Sequence, residues 1–533
     1  MWLRAIVFIV VAKCVSAAWN NAVYYRIIVD SFKDLDGDGL GDLMGVTKQL
    51  SYVKALGADA VILSPIQAKS PDCTRPGTLD FTTIDQRYGN MDIFNKLIEK
   101  AKKLDLKVLM SLDVQRISSA SEWFNHSAGK RPGYEDWVVW RDGPLDKPPV
   151  LEDGIDAWIW NEERHGFWAS KNNETILNLC SESLIEALKG AQCSWLQKGV
   201  SGFILTPDYY LDYECGIQIV KKMSTSAASC ARAANMENPI ILVETALDVI
   251  SANYFGDTNG VISKALTGSQ RSTPDLALAL HASLLFCPQD MTPTWLTSAR
   301  QESRITTRYG SELVDAINLI ALILPGSTII HQGDELGAAD TILEWATIDQ
   351  CWPTQSHPSL APFPWDDSNT AGFTSGEPWL PLAPNYRYAN AKSEFANDLS
   401  HVGVVRVATA MRKSPAFGPH VEIKRFDDAL AILRWGGSGS LLVISNLGRK
   451  AADVLLSKIP GVAAEMTVAA SSGGSSLSSG GHVHTDKLIK LNPGETLLLA
   501  GPPRHCGGPG PVDKITNKLS EGWQKLNKYF SNS

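Results

Sequence analysis

The sequence predicts an α/β protein built on a (β/α)8 TIM barrel, with a subdomain inserted after the third strand and a C-terminal antiparallel β domain. Three observations lead there. Short, continuous apolar runs alternate with helical segments over several hundred residues, as expected for parallel strands covered on both faces. The third and fourth runs are separated by a long stretch rich in Trp, Pro and Gly, about residues 115–197. After about Val405 the pattern changes to strand-like segments joined by tight Gly turns.

The apolar runs are VYYRIIV from Val23, AVILS from Ala60, KVLMSL from Lys107, SGFIL from Ser201, PIILVE from Pro239 and STIIH from Ser327. Each has the length of a buried strand. Two weaker strands are expected near residues 276–280 and 295–299. Between the runs lie helical segments such as DIFNKLIEKAKKL from Asp92 and ELVDAINLIALIL from Glu312. The barrel is therefore expected over residues 19–404 and the β domain over 405–501. In the tail, 502–533, Ile515, Leu519, Trp523, Leu526 and Phe530 recur at helical spacing and make one apolar stripe.

Residues 1–18 have the form of a secretory signal peptide. Arg4 precedes the apolar run from Ala5 to Ala12, and the small residues Ser16-Ala17-Ala18 follow. Lys13 interrupts the run, which is too short to span a bilayer. A secreted, extracellular chain is expected, with no transmembrane helix after signal cleavage. Of nine cysteines, one lies in the signal and eight remain, so disulfides are permitted, although their pairing is not legible. The sequons at Asn125 and Asn173 suggest glycosylated surface loops. The net charge of −8 argues against a nucleic acid partner.

Several stretches carry a resemblance. YYRIIVDSFKDLDGDGLGDLMGVTKQLSYVKALGADAVILSPI from Tyr24 is very similar to the opening of maltases and oligo-glucosidases of glycoside hydrolase family 13, the α-amylase superfamily. DQRYGNMDIFNKLIEKAKKLDLKVLM from Asp85, WNEER from Trp160, LPGSTIIHQGDELG from Leu324 and PFPWDDSNTAGF from Pro362 also look like that family. The match runs from Asn20 to the β domain, and insect-type maltases look nearest. The resemblance implies the barrel, the insertion and the C-terminal domain read above.

The loop from Asp34 to Asp42 places carboxylates at every second position with glycines between them, an arrangement that can converge on one cation. A complete EF-hand loop would need Glu at position 45, where Gly45 stands. The resemblance implies a structural Ca2+ held by Asp34, Asp36, Asp38, the Leu40 carbonyl and Asp42.

The chemical positions depart from the family. Retaining glycosidases use two carboxyl groups about 5–5.5 Å apart. The family's nucleophile Asp, two residues after an Arg at the end of the fourth strand, is matched by Thr206, and the Arg by Ile204. The ungapped match for the acid/base Glu is Thr245. Glu244 lies one residue earlier and, by strand alternation, is expected to turn away from the productive face. The Asn-His-Asp motif after the seventh strand becomes Ala299-Arg300-Gln301. The third-strand motif becomes Ser111 with Gln115-Arg116, and the early Tyr-Asp pair becomes Pro76-Gly77. Asp208 lies two residues beyond Thr206, too far along an extended chain to replace it.

The sequence thus points to a secreted α-glucosidase-like pseudoenzyme that binds a glycan or protein, or an anionic ligand reaching Arg116 and Arg300. One alternative is an active α-glucosidase whose carboxylates have relocated, using Glu244 with Asp208 or Asp113. Another is a subunit similar to the heavy chains of amino-acid transporters, which would need a membrane helix ahead of the barrel.

Overall fold

The computed structural model describes residues 19–144, 147–207, 211–245, 248–268, 272–288, 291–300, 302–345, 357–436 and 438–503. The signal segment, the apolar stripe of the tail, Asp208, Gln301, Cys351 and Cys506 lie outside the described residues.

Eight parallel strands close into a barrel. They are β1 (Val23–Ile27), β2 (Ala60–Leu63), β3 (Lys107–Leu112), β4 (Gly202–Leu205), β5 (Ile240–Val243), β6 (Gly260–Ser263), β7 (Thr294–Leu296) and β8 (Ser327–His331). They pair in chain order, with β8 returning to β1 through Val23↔Thr328 and Arg26↔His331. Side chains alternate across each strand. One set, including Tyr24, Ile62, Leu109, Ile204, Leu242, Leu296 and Ile329, fills the interior. The other, including Tyr25, Val61, Val108, Phe203, Val243 and Trp295, packs in the main core with the surrounding helices.

The helical layer includes α1 (Leu43–Ala55), α2 (Met91–Lys103), α3 (Glu182–Gln197), α4 (Tyr213–Ala233), α5 (Thr273–Leu285), α6 (Val314–Ile323) and α7 (His401–Arg412). Residues 276–280, expected as a strand, lie inside α5. Their Leu-Ala alternation imitates a strand, but Ser272 caps Asp275 N–H, a Pro stands in the first turn, and Leu276 and Leu280 are buried at i, i+4 while Leu278 is exposed. The sixth strand is instead the short Gly260–Ser263. A Cβ at Gly260 would approach Thr294 Oγ1 to 2.3 Å, so the glycine permits the close approach of β6 and β7.

The inserted five-stranded sheet uses Arg116–Ile117, Trp140–Asp142, Ala157–Asn161, Gly166–Lys171 and Glu174–Ile176. It ends at Ile176, earlier than the expected boundary at 197, because the next long amphipathic segment is the barrel helix α3. Disulfides Cys180–Cys215 and Cys193–Cys230 tie α3 and its N-terminal approach to α4. Cys73 is also disulfide-bonded, whereas Cys287 is unpaired.

The expected domain boundary at 405 falls inside α7, which packs on α6 as a barrel helix. The C-terminal sheet begins at His420 and has six strands. Its buried Arg434 donates to Ile323 O at 3.0 Å, satisfying a carbonyl at the end of α6. Arg412 of α7 donates nearby to Asn21 O at 3.0 Å. These arginines join the β domain and the last helix to the barrel.

Past β8, Glu335 is fully buried. Its Oε1 accepts Tyr25 Oη–H at 2.6 Å and Tyr52 Oη–H at 2.7 Å, and its Oε2 accepts Gly333 N–H at 2.8 Å. Burial pushes this carboxyl up to about 7, with the tyrosine hydroxyls pulling it the other way. The folded chain therefore holds the proton more tightly than the unfolded chain. This contribution to stability is complete below the ordinary Glu range and is lost as pH rises through about 7. Glu335→Gln should remove a slope of up to about 1.4 kcal/mol per pH unit from this window. Urea titrations at pH 4.5, 6 and 7.5, as chosen conditions, test this; an unchanged pH slope in the variant would refute it.

Candidate active site at the barrel mouth

Functional groups of (β/α)8 barrels gather at the C-terminal ends of the strands. Here the inward phase of β1 runs through Tyr24 to Arg26, and that of β5 through Ile240 and Leu242 to Glu244. These strands lie on opposite sides of the ring. Arg26 spans the interior and grips Glu244 in a forked pair, Nη2 to Oε2 at 2.7 Å and Nη1 to Oε1 at 3.4 Å. Arg26 is buried, and the Glu244 side chain is 19% exposed.

This corrects the expectation for β5. Glu244 does not turn away, and the inward position belongs to it rather than to Thr245. Regular alternation from Ile240 carries it inward without a bulge. Burial pushes the Glu244 carboxyl up, but the charge and hydrogen bonds of Arg26, with the more distant Lys264, outweigh this and leave it below the ordinary Glu value. The group is held ionised, whereas a general acid needs a raised pKa.

On the neighbouring β4, Ile204 belongs to the apolar interior, with Thr206 beyond it. Thr206 Oγ1 lies 3.5 Å from Leu112 O, and its carbonyl accepts from Gln115 Nε2. Ser111 of β3 is half-buried and its carbonyl receives a long contact from Gln67. Gly77 has φ +112°, and a Cβ there would meet Ser118 N at 2.8 Å. The position therefore serves close backbone packing.

Arg116 is bound on both sides, Nη2 to Asp113 Oδ2 at 2.7 Å and Nη1 to Glu174 Oε2 at 3.1 Å. The inserted sheet supplies Glu174, whose carboxyl is raised by burial against the pull of Arg116. Arg300 is half-buried, and its carbonyl accepts Ser359 Oγ–H at 3.0 Å. Its charge acts on Glu174 and also on Lys69, whose ammonium is held below its ordinary pKa by burial.

Sequence reasoning missed Arg26, Lys69, Glu174 and His331. The arginine inside VYYRIIV was the available signal, because an unpaired charge does not persist on a buried strand. His331 lies in register with Arg26 and is fully buried. Neither of its ring nitrogens has a hydrogen-bond partner among the described residues. Burial, followed by the charges of Arg304, Arg26, Arg308 and Arg300, keeps it neutral well below its ordinary pKa.

In the acidic loop, Asp34, Asp36 and Asp42 each place an oxygen within 4.8 Å of the others. Asp34 accepts Gly37 N–H at 2.7 Å and Gly39 N–H at 2.8 Å, and Asp42 caps α1 through Gly45 N–H at 2.7 Å. Asp38 stands outside that trio, with its Oδ1 accepting Leu40 N–H at 2.8 Å. Cys180, Asp212 and Cys215 also converge, but the two sulfurs are bonded to each other. Asn125 and Asn173 are exposed, although Asn125 lies on a short helix, Glu122–Ala128, rather than in a loop.

The fold and site define a protein of the α-amylase class. The chain belongs to that family: residues 26–213 and 247–418 match the alpha amylase catalytic domain. The unmatched interval, 214–246, contains β5 and Glu244. More particularly, it is maltase- and α-glucosidase-like. It is 31% identical to Maltase 1 of Drosophila virilis over 461 residues, covering 74% of this chain and 72% of that protein. Against the salivary alpha-glucosidase of Aedes aegypti, identity is 28%, with coverage of 74% and 79%. In structure it superimposes on a trehalose-6-phosphate hydrolase of Bacillus licheniformis with TM-score 0.77 and 22% identity, covering 91% of this chain and 99% of that one; this likeness concerns the fold alone. No helix among the described residues is long and apolar enough to cross a membrane. The maltase and α-glucosidase relatives give the transporter-subunit alternative no support.

Arg26→Met should cost about 3 kcal/mol in chemical denaturation, because it strands the Glu244 charge in the interior. Arg26→Met/Glu244→Leu should recover most of that loss. A single variant as stable as the parent would show that the pair is not a determinant of the barrel interior.

Proposed function

We propose that this chain is a secreted relative of the maltases that no longer hydrolyses α-glucosides and acts by binding a ligand at its barrel mouth. The observation that carries this reading is the state of the inward carboxylate on β5: Glu244 is ionised and bound by Arg26, while Thr206 stands beyond β4. A double displacement needs a nucleophilic carboxylate and a proton donor facing the same bond. Thr206 supplies no carboxylate, and Glu244 in its ion pair has no proton to give. Losing general acid catalysis alone removes about 10²–10⁴ in rate.

The mature chain should show no turnover of maltose, sucrose or an aryl α-glucoside above that of its Thr206→Ala variant, measured beside an active maltase. Turnover near the rate of the active enzyme would overturn this reading and favour relocated carboxylates.

The acidic loop is read as a structural calcium site. Asp34, Asp36 and Asp42 would supply carboxylate oxygens, with Asp38 and the Leu40 carbonyl as further oxygens from the same loop. The donor set fits a hard cation. The Asp36 carboxyl is raised by partial burial and then by Asp38 and Asp34, a repulsion that a cation would relieve. The paired cysteines, the exposed sequons and the N-terminal signal support secretion. Millimolar Ca2+ should raise the melting temperature and chelation should reverse it. Asp36→Asn, at an exposed position, should weaken the calcium response about tenfold; a melting temperature indifferent to Ca2+ would remove the site.

A further inference from the structure

The hairpin that joins two strands of the inserted sheet, Gly166–Lys171 and Glu174–Ile176, stands at the rim of the barrel mouth. Its turn is the pair Asn172-Asn173. Both have positive φ, +52° and +62°, as a two-residue hairpin of the I′ type requires. Asp156 Oδ2 accepts Asn172 N–H at 2.8 Å, and Lys171 pairs with Glu174 across the turn, so the tip is held in place. Asn173 is exposed at that tip. The next residue, Glu174, turns to the mouth, where its Oε2 meets Arg116 Nη1 at 3.1 Å.

Thr175 completes the sequon Asn173-Glu174-Thr175. It is fully buried, between Ile117 and Ser170 on the neighbouring strands. Among the described residues its hydroxyl has no hydrogen-bond partner. A buried hydroxyl without a partner costs stability, and valine would fill a similar β-branched space without that cost. The fold therefore gives no reason for threonine at this position. The other sequon differs. Ser127 Oγ accepts Trp140 Nε1–H at 2.9 Å and donates to Glu135 O at 3.4 Å, so its hydroxyl already serves the fold.

We infer that Asn173 carries an N-linked glycan at the rim of the barrel mouth, and that the Thr175 hydroxyl serves its attachment rather than the folded structure. This rests on the reading that the chain is secreted. It goes beyond the sequon pattern by placing the glycan one residue from the Glu174–Arg116 pair and by fixing when it is added. The donor is an oligosaccharide joined through a diphosphate to a lipid. Asn173 Nδ2 forms a bond to the anomeric carbon of the first sugar. The bond from that carbon to the diphosphate oxygen breaks, the lipid diphosphate leaves with the bonding electrons, and a base of the host transferase takes one Nδ2 proton. Thr175 is inaccessible once its strand pairs on both sides, so transfer precedes closure of the inserted sheet.

Expression of the full chain in a eukaryotic secretory host, followed by peptide mass mapping before and after enzymatic removal of N-glycans, tests the inference. The peptide containing Asn173 should carry a glycan in most copies. Asn173→Gly, which keeps the positive φ of the turn, should lose it. Thr175→Val should also lose it, whereas Thr175→Ser should keep it. Once the parent has been stripped of glycans, Thr175→Val should unfold at the same urea concentration or a higher one. A secreted chain, cleaved near Ala18 but bare at Asn173, would overturn the inference and leave secretion standing. An uncleaved chain bare at Asn173 would overturn both. A Thr175→Val chain that unfolds at clearly lower urea than the stripped parent would also overturn the inference, because the hydroxyl would then serve the fold.

Discussion

The ion pair between Arg26 and Glu244 organises the interior of this barrel. Below it, apolar side chains from all eight strands pack into one interior cluster, with Ile329 supplied by β8. Above it, the mouth is occupied by charged groups from β-strand ends, loops and the inserted sheet. A charge this deep persists only when matched. The strand that carries Arg26 and the opposite strand that carries Glu244 are therefore held in a fixed relation across the barrel. The interaction that closes the interior also holds the one inward carboxyl of β5 below its ordinary pKa.

The outer shell is held by separate means. Arginines from α7 and the C-terminal sheet satisfy carbonyls at the base of the barrel. Disulfides secure α3 against α4, and Glu335 joins the eighth strand's loop to Tyr25 and Tyr52. None of these contacts depends on which side chains line the mouth. A scaffold supported in this way does not depend on the groups at its mouth, so membership of the α-amylase family determines the architecture more firmly than the activity.

The fold was legible because its determinants are largely local. Six barrel strands announced themselves as short apolar runs, and the Asp34–Asp42 loop showed its carboxylate spacing directly. The sixth strand was not legible: GVIS is short and begins with Gly, while the Leu-Ala alternation of α5 gave a stronger strand signal. The insertion boundary was misplaced because α3 belongs to the barrel although it follows the inserted sheet in sequence.

The candidate site was legible only in part. Arg116 was visible as an added charge, but its engagement with Glu174 required strands Arg116–Ile117 and Glu174–Ile176 to pair within the inserted sheet. The orientation of Glu244 was hidden for a physical reason. A parallel strand buried on both faces is apolar at every position, so Ile240–Val243 contains no alternation from which to read the inward phase. The sequence alone determined the α/β class, the strand-and-helix order and the local acidic loop, because these depend on neighbouring residues. Only the closed tertiary structure decided that Glu244 faces inward and meets Arg26, because that contact joins opposite sides of the barrel across a separation of 218 residues.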